Sequence, residues 1–187
     1  MGKNAILDRV PRLRSPMRSH SGESANGPRR RFLRVLTCRL VKTEVVSIGY
    51  QGRTPIELIA LLRKHHVEAV IDVRELPLSR RKGFSKTPLS SSLATVGIAY
   101  HHLKAAGNPH RKVIVTEANR AACLKLYAKH LSKHPEVLDL VAETCDGRRV
   151  AFLCFERAHE ECHRAKLLEA LTRQASARDA WHVVRVE

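Results

Sequence analysis

The sequence predicts an α/β fold, a single three-layer domain with a mostly parallel sheet of four or five strands. Two observations lead to this prediction. From residue 44 onwards, β-rich segments alternate with segments whose apolar residues recur at helical spacing. Two of the strand segments, 69–73 and 150–155, are almost continuous apolar runs, which are typical of strands covered by helices on both faces. Right-handed crossovers between parallel strands are the expected connections.

The first strand and helix are marked by a clear boundary. Residues 44–48 are β-rich and end at Gly49. Thr54, Pro55 and Glu57 then indicate the start of a helix. Thr is a good N-cap, Pro fits the first helical position, and Glu three residues after the cap completes a capping box.

The next elements follow the strand at 69–73. A basic loop covers 75–87, and Thr87-Pro88 repeats the cap-and-proline signal. This predicts a second helix that ends near Val96, followed by a third strand over 98–103. The rest of the chain predicts a long helix at 116–130 and a shorter helix after Pro135. A strand at 150–155, a helix at 160–173 and a possible fifth strand at 181–186 complete the prediction.

Residues 1–42 differ from the rest in composition. They carry eleven Lys and Arg residues against two acidic residues, so +9 of the total net charge of +16 lies here. No helical or strand period is sustained, and the tripeptide Arg29–Arg31 stands near a Ser/Gly/Asn stretch. We predict a disordered basic extension before an α/β domain at 43–187. An arm that binds polyanions, and a start codon placed too early, with Met17 as another start, are the alternatives.

Composition narrows the class of protein. The chain has 187 residues, 43% hydrophobic and 28% charged, which excludes collagen-like and wholly disordered proteins. No run approaches the ~18 apolar residues of a membrane span, so no membrane partner is predicted. Five cysteines without a secretory leader favour free thiols in a reducing cytoplasm.

Polar side chains follow the predicted strands, where parallel α/β sheets bind ligands. The amides of 49–52 lie between a strand and a capped helix start and can face an anion. Arginine guanidinium groups bind phosphate through two parallel hydrogen bonds. The residues expected to bind a substrate or anion are Gly49, Tyr50, Gly52, Arg53, Arg74, Ser79, Arg80, His102, Asn108 and Arg164. The alternative is that the arginines form structural ion pairs and solvated charge.

Four residues are predicted to be catalytic. Cys162 lies at the start of a helix, which favours a thiolate, whereas the carboxylates of Glu160 and Glu161 disfavour one, so the sequence leaves the sign of its pKa shift open. Glu156 and His163 can act as an acid–base pair. Asp72 ends the second strand, with pairing to Arg74 as the alternative. Cys154 is expected in the core, since Cys is often buried.

A zinc site is a further possibility, with Cys154, Cys162, His163 and His102 as the candidate ligands. It is less favoured because the chain has no C-x-x-C pair. We therefore predict no metal and no cofactor.

Five motifs together resemble a known family. They are Ser47–Thr54, Ile71–Arg74 with the basic loop after it, Tyr100–Leu103 with Gly107-Asn108-Pro109, Leu153–Glu156, and Cys162–Arg164. In order and spacing they are similar to the domain-of-unknown-function 488 family of prokaryotic proteins, over about residues 45–175. The resemblance implies a small cytosolic α/β domain and supplies no settled activity. Gln51, where an acid is common, and Ala105-Ala106 depart from the family pattern.

These observations predict an enzyme that acts on a phosphate-bearing substrate, a nucleotide or nucleic acid. A non-catalytic nucleic-acid-binding protein and a thiol- or metal-dependent sensor are the alternatives. The sequence leaves open whether the site is catalytic, which reaction it performs, and the oligomeric state.

Overall fold

The computed structural model describes residues 43–112, 116–145, 147–175 and 181–187, with Arg111 and Lys112 described by their backbone alone. In these residues five strands alternate with five α-helices. They are β1 (Thr43–Gly49), α1 (Pro55–Lys64), β2 (Ala69–Asp72), α2 (Lys86–Ala94), β3 (Ala99–His102), α3 (Glu117–Lys133), α4 (Pro135–Cys145), β4 (Val150–Cys154), α5 (His163–Gln174) and β5 (Trp181–Val186). Two short 3-10 turns, Lys104–Ala106 and Pro109–Lys112, precede α3.

The strands form one sheet in the order β3-β2-β4-β1-β5, and every neighbouring pair is parallel. The predicted α/β class is therefore confirmed, with all five strands present. In the register, Gly49 lies opposite Cys154, and Asp72 lies opposite Leu153. The carboxyl ends of β1, β2 and β4 thus meet at one edge of the sheet.

Helices cover both faces of the sheet. One core layer packs α1 and α2 on the sheet through residues such as Leu58, Leu62, Leu89 and Leu93. The other layer packs α3, α4 and α5 through residues such as Tyr127, Val141 and Leu167. The loops after β1 and β2 therefore lead to one face, whereas the loop after β4 leads to the other. A parallel sheet opens a crevice at such a switch point, and here it lies at the end of β4.

The first helix begins as predicted. Thr54 Oγ1 accepts a hydrogen bond from the Glu57 amide at 3.3 Å, and Glu57 Oε2 accepts one from the Thr54 amide at 2.7 Å. The last helix differs from the prediction, since it begins at His163 and not at Glu160. Cys162 has an extended backbone (φ −106°, ψ 148°) and is the N-cap, so the residues before it form a turn.

The second helix also differs slightly, because it runs from Lys86 and ends at Ala94. The predicted basic extension, residues 1–42, lies outside the described residues. Across the part of the chain that the structure describes, no helix is both long enough and apolar enough to cross a membrane.

Candidate functional site at the end of the fourth strand

Four potential ligand or catalytic groups converge where β4 ends and α5 begins. They are the thiols of Cys154 and Cys162, the Glu156 carboxylate and the His163 imidazole, and we call them the Cys–Glu–His centre. One side-chain atom from each lies within 4.8 Å of all the others. Both cysteines and His163 are buried, whereas Glu156 is half-buried. Three predicted site residues, Glu156, Cys162 and His163, are thus brought together, and Cys154 joins them.

A single carboxylate oxygen lies between the two thiols. Cys154 Sγ donates to Glu156 Oε2 at 3.0 Å, and Cys162 Sγ lies 3.2 Å from the same oxygen. Each sulfur also lies 3.7 Å from His163 Nδ1. The two sulfurs, one oxygen and one nitrogen therefore form a compact cluster of donor atoms.

The ring orientation of His163 is fixed from the far side. His163 Nε2 lies 2.8 Å from the Val73 carbonyl oxygen, just after β2. Because a carbonyl only accepts, Nε2 carries the proton, and in the neutral ring Nδ1 presents its lone pair to the two sulfurs. The Tyr127 ring packs edge-on against this imidazole at 5.3 Å, and its hydroxyl donates to the Ala106 carbonyl at 2.6 Å.

Arg164 closes the centre on its other side and is fully buried. Its Nε donates to Cys162 Sγ at 3.2 Å, and its Nη2 donates to the Glu156 carbonyl at 2.6 Å. The buried Nη1 has no hydrogen-bond partner among the described residues. Arg164 therefore supplies a positive charge beside Cys162 and holds the backbone after β4 in place.

These contacts distribute charge unequally between the two cysteines. Burial alone raises the pKa of Cys162, but the hydrogen bond from Cys154 and the charges of His163 and Arg164 outweigh it, so this pKa lies well below its usual range. Burial and the neighbouring Cys162 raise the pKa of Cys154 well above its usual range. Burial and the same cysteine raise the pKa of the Glu156 carboxyl. Negative charge in the centre thus concentrates on Cys162.

The His163 imidazole responds to the same charge. Burial alone lowers its pKa, but the adjacent Cys162 outweighs burial and raises it. Such a centre can act chemically in two ways. It can hold a thiolate nucleophile beside acid–base groups, or it can bind a metal ion through sulfur, nitrogen and oxygen.

A second polar cluster lies beside the centre, where β2 and β3 end. Asp72 Oδ1 accepts from Arg74 Nε at 2.8 Å, and Asp72 Oδ2 accepts from Arg74 Nη2 at 2.5 Å. Arg74 Nη1 donates to the Tyr50 hydroxyl at 3.1 Å and to the Phe84 carbonyl at 2.9 Å. The Tyr100 hydroxyl donates to Asp72 Oδ2 at 2.5 Å. Asp72 and Arg74 are fully buried, so this network holds the two loops together.

Electrostatics in this network favour the charged pair. Burial alone lowers the pKa of Arg74, but the Asp72 carboxylate outweighs it and raises the pKa. Burial and the hydrogen bond to Asp72 raise the pKa of Tyr100, which therefore keeps its proton as a donor. The structure thus places Asp72 in a saturated internal ion pair with Arg74.

Three other predicted site residues form hydrogen bonds within the protein. His102 Nε2 lies 2.9 Å from the Arg74 carbonyl oxygen, and Arg53 donates to the carbonyls of Gly49 and Val186. Asn108 Oδ1 accepts from the His110 amide in a 3-10 turn.

Two glycines at this edge have different roles. A Cβ on Gly49 would lie 1.8 Å from the Glu156 carbonyl oxygen, so glycine is required where β1 passes the segment that carries the centre. Gly52 has a φ of +76°, which permits the turn after β1.

An open cleft lies on the other side of β4, towards α1 and α2. It encloses about 710 Å³ and contains two of the predicted residues on its basic wall, Ser79 and Arg80. Its full lining is Tyr50, Leu78, Ser79, Arg80, Arg81, Ser85 and Phe155. Phe155 lies between Cys154 and Glu156 in the chain, so the cleft borders the segment that carries the centre.

Sequence reasoning missed parts of this arrangement. Cys154 was expected in the core and is indeed buried, yet it also contacts Glu156 and His163. The spacing of Cys154 and Glu156 was a usable signal, because alternate residues of an extended segment share a face. No sequence signal indicated the Val73 carbonyl or Tyr127, since both reach His163 only through the packing of distant segments.

Comparison with known proteins places this arrangement in a family. The family model for the domain of unknown function DUF488 matches residues 55–171, more than half of the chain. The chain belongs to the DUF488 family. The match includes the Cys–Glu–His centre and the Asp72–Arg74 pair, and the resemblance read from the five motifs is confirmed. No curated protein matches the chain, and no solved structure does either.

Proposed function

We propose that this protein is an enzyme that acts on a phosphate-bearing substrate, a nucleotide or a nucleic acid strand, held in the cleft beside the Cys–Glu–His centre. The lining of the cleft carries the proposal. Two guanidinium groups, from Arg80 and Arg81, share one concave space with the hydroxyls of Ser79 and Ser85 and the ring of Phe155. Guanidinium and hydroxyl groups bind phosphate oxygens, and a nucleobase can stack on an aromatic ring.

The charge around the cleft supports an anionic ligand. Residues 76–116 contain no Asp or Glu, and they include seven Lys and Arg residues. Of these, Arg80, Arg81, Lys82 and Lys86 are exposed on the loop that forms the cleft wall and at the start of the helix after it. An exposed surface of one sign attracts the opposite charge over several ångströms, and a phosphate group is the common biological anion that guanidinium pairs recognise.

The cleft wall is held in shape by its own hydrogen bonds. The Ser79 amide donates to Ser85 Oγ at 3.1 Å, and the Lys86 amide donates to the Pro77 carbonyl at 2.9 Å. Arg81 Nη2 donates to the Arg53 carbonyl at 2.9 Å. Arg80 forms no hydrogen bond or ion pair with any residue in the described ranges, so its guanidinium is the one we assign to phosphate.

The interior arginines have a different role in this proposal. Arg74 uses four of its five N–H groups on Asp72, Tyr50 and Phe84. Arg164 is fully buried against Cys162. We therefore assign both arginines to positioning the site and leave contact with substrate to the exposed arginines of the cleft.

Reactive groups come from the Cys–Glu–His centre. Glu156 is the member of the centre that is only half-buried, so it is the one that a substrate can reach at the end of β4. We assign Glu156 as the group that reaches the bound substrate. The enzyme is placed in the cytoplasm, where its buried free cysteines stay reduced and nucleotides are abundant.

Ligand binding tests the proposal directly. Titrations of the full chain with ATP, with inorganic phosphate and with a fluorescein-labelled single-stranded oligonucleotide should reveal binding that weakens as salt rises. Arg80→Gln removes one charge-assisted hydrogen bond of about 1.5–3 kcal/mol, so the affinity should fall roughly 10- to 100-fold. Arg63→Gln is the matched control, because it removes the same exposed charge at the far end of α1.

Two results would contradict the proposal. Binding of none of the three probes would exclude the phosphate-bearing ligand, and equal loss in the Arg80 and Arg63 variants would exclude the cleft. The catalytic part is tested by Glu156→Gln, which should abolish turnover of the probe that binds while its affinity changes less than threefold. Binding without turnover in the unchanged protein would favour a nucleic-acid-binding protein over an enzyme.

A further inference from the structure

We propose that the Cys–Glu–His centre is a binding site for a divalent metal ion of the zinc class, with Cys154 Sγ, Cys162 Sγ, His163 Nδ1 and Glu156 Oε2 as ligands. Metal binding stands independently of the cleft and of the proposed substrate. It depends on the convergence of the four donor atoms, on the groups that orient them, and on the charge of the site. Each of these three observations is considered in turn.

Four of the six distances between the donor atoms are close to the edges of a tetrahedral site. Zinc lies about 2.3 Å from sulfur and about 2.0–2.1 Å from nitrogen or oxygen, so tetrahedral sulfur–nitrogen and sulfur–oxygen edges are about 3.6 Å long. Both sulfurs lie 3.7 Å from His163 Nδ1. They lie 3.0 and 3.2 Å from Glu156 Oε2. An ion therefore enters when the carboxylate withdraws by about half an ångström.

All four ligands come from one short segment, residues 154–163. Cys154 and Glu156 occupy alternate positions at the end of β4, and Cys162 and His163 form the cap and first residue of α5. The strand end and the helix start are thus joined by a chelating loop. The absence of a C-x-x-C pair in the sequence argues against metal, but here the carboxylate and the imidazole complete a set of four candidate ligands without one.

Groups behind the ligands orient them as in metal sites. A metal-bound histidine commonly donates its other N–H to a carbonyl or carboxylate, which fixes the ring and its tautomer. His163 does this through Nε2 to the Val73 carbonyl at 2.8 Å, so Nδ1 points at the centre. Arg164 Nε donates to Cys162 Sγ at 3.2 Å, and Arg164 Nη2 fixes the Glu156 backbone.

The charge of the loaded site also balances. Two thiolates and a carboxylate are three negative charges in a buried space, which are costly there without cations. A divalent ion and the buried Arg164 guanidinium together supply three positive charges. Thiolate and imidazole ligands select zinc and similar transition metals over Mg²⁺ and Ca²⁺, which prefer oxygen.

The ligands differ in exposure, and this suggests which one can exchange. Cys154, Cys162 and His163 are each at least nine-tenths buried, whereas Glu156 is half-buried. Three fixed protein ligands with one replaceable position are typical of catalytic zinc sites. Glu156 is therefore the ligand that a substrate oxygen would replace, and this last point alone rests on the proposed function.

Metal content and a cobalt spectrum test the site. The full chain, purified without chelators or a polyhistidine tag, is expected to contain about one zinc ion per chain when measured by inductively coupled plasma mass spectrometry. Protein stripped of metal and loaded with Co²⁺ should show thiolate-to-cobalt charge-transfer absorption and the strong visible bands of tetrahedral cobalt. Mutation of a residue that hydrogen-bonds to a metal ligand typically weakens metal binding roughly 10- to 100-fold. Cys162→Ser removes a ligand itself, so it should weaken zinc binding by more than this.

Cys145→Ser is the matched control, because Cys145 is also a fully buried free cysteine but lies in α4, outside the centre. It should retain zinc and the cobalt spectrum. If Cys162→Ser does not fold, the spectrum of the unchanged protein decides the question without any variant. A cobalt spectrum lacking thiolate bands, or equal zinc content in folded Cys162→Ser and wild-type protein, would overturn the inference.

The two proposals fail separately. If the protein binds no metal but still binds ATP through Arg80, the proposed metal site is wrong and the proposed cleft stands. A zinc-loaded protein that binds none of the three phosphate probes would keep the metal site and remove the proposed function. Arg80→Gln should have the same zinc content as wild type.

Discussion

The buried ion pair between Asp72 and Arg74 offers the sharpest test of how this site is built. Asp72→Asn keeps the size of the side chain and replaces a carboxylate oxygen by an amide NH2. The wild-type carboxylate accepts from Arg74 Nε, Arg74 Nη2 and the Tyr100 hydroxyl at 2.5–2.8 Å. An amide can satisfy only part of this set, because its NH2 group would face donors.

The expected loss follows from the burial of both partners. Neither side chain of the pair is exposed to solvent, so the Arg74 cation would remain in the interior without its counter-charge. Removing one partner of a buried pair costs about 3–5 kcal/mol. Since domains are stable by about 5–15 kcal/mol, this is a large share of the total. With a urea slope of about 2 kcal/mol/M, the unfolding midpoint should fall by roughly 1.5–2.5 M.

Urea unfolding followed by circular dichroism measures this change, and a second pair on the same protein serves as its control. Glu44 and Arg149 also form an ion pair, but both side chains are about one-third exposed. Glu44→Gln should therefore cost about 0–1 kcal/mol. Adding Arg74→Met to Asp72→Asn removes the stranded cation and should recover part of the lost stability, because the interior then holds no charge without a counter-charge.

The reasoning would be refuted by a loss for Asp72→Asn no greater than that for Glu44→Gln. It would equally be refuted if the double variant were less stable than Asp72→Asn alone, since the stranded charge would then not be the cause. Either result would leave Asp72 open to the catalytic role that the sequence predicts. The expected loss instead supports a structural role.

Two further changes test other parts of the fold. Gly49→Ala should destabilise the domain by more than the ~1–3 kcal/mol of ordinary overpacking, because its Cβ would lie 1.8 Å from the Glu156 carbonyl oxygen. Gly97→Ala is the control, since Gly97 has open space around it and a φ of +74°, and it should cost only about 1 kcal/mol in the same urea assay. Equal losses in the two variants would contradict the close approach at Gly49. Hydrogen bonds from Thr54 lower the pKa of Glu57, so their stabilisation is present above the unfolded pKa of about 4.3 and is lost as pH falls through the lower folded pKa. Glu57→Gln should therefore lose less stability than wild type on acidification across that range, and parallel pH profiles would contradict the capping box.

The sequence predicted the fold well because the relevant signals are local. The capping box at Thr54 and Glu57 depends on residues three apart, and the helix begins there. The apolar runs at 69–73 and 150–155 predicted strands covered on both faces, and β2 and β4 are buried along their whole lengths. Alternation of strand and helix then leaves a parallel sheet as the ordinary solution.

Local signals do not show which partner a side chain finds in the folded chain. The sequence predicts anion binding by Arg53, yet its guanidinium donates to the carbonyls of Gly49 and of Val186, which lies on β5. A sequence shows that a cation lies after a strand, but not whether an acceptor from another strand reaches it first. Arg80, with the same residue type and similar neighbours, lies on the open wall of the cleft.

By itself, then, the sequence determined the class of fold, the order of its elements and the family, because helix caps, apolar runs and motif spacing are properties of neighbouring residues. It also predicted that polar candidate site residues follow the strands, since parallel strands end at a common edge. Only the tertiary structure decided which side chains share a space. Cys154 and Cys162 meet around one carboxylate oxygen because the chain turns between β4 and α5. His163 Nδ1 faces them because the carbonyl of Val73, ninety residues away, accepts a hydrogen bond from Nε2 on the other side of the ring.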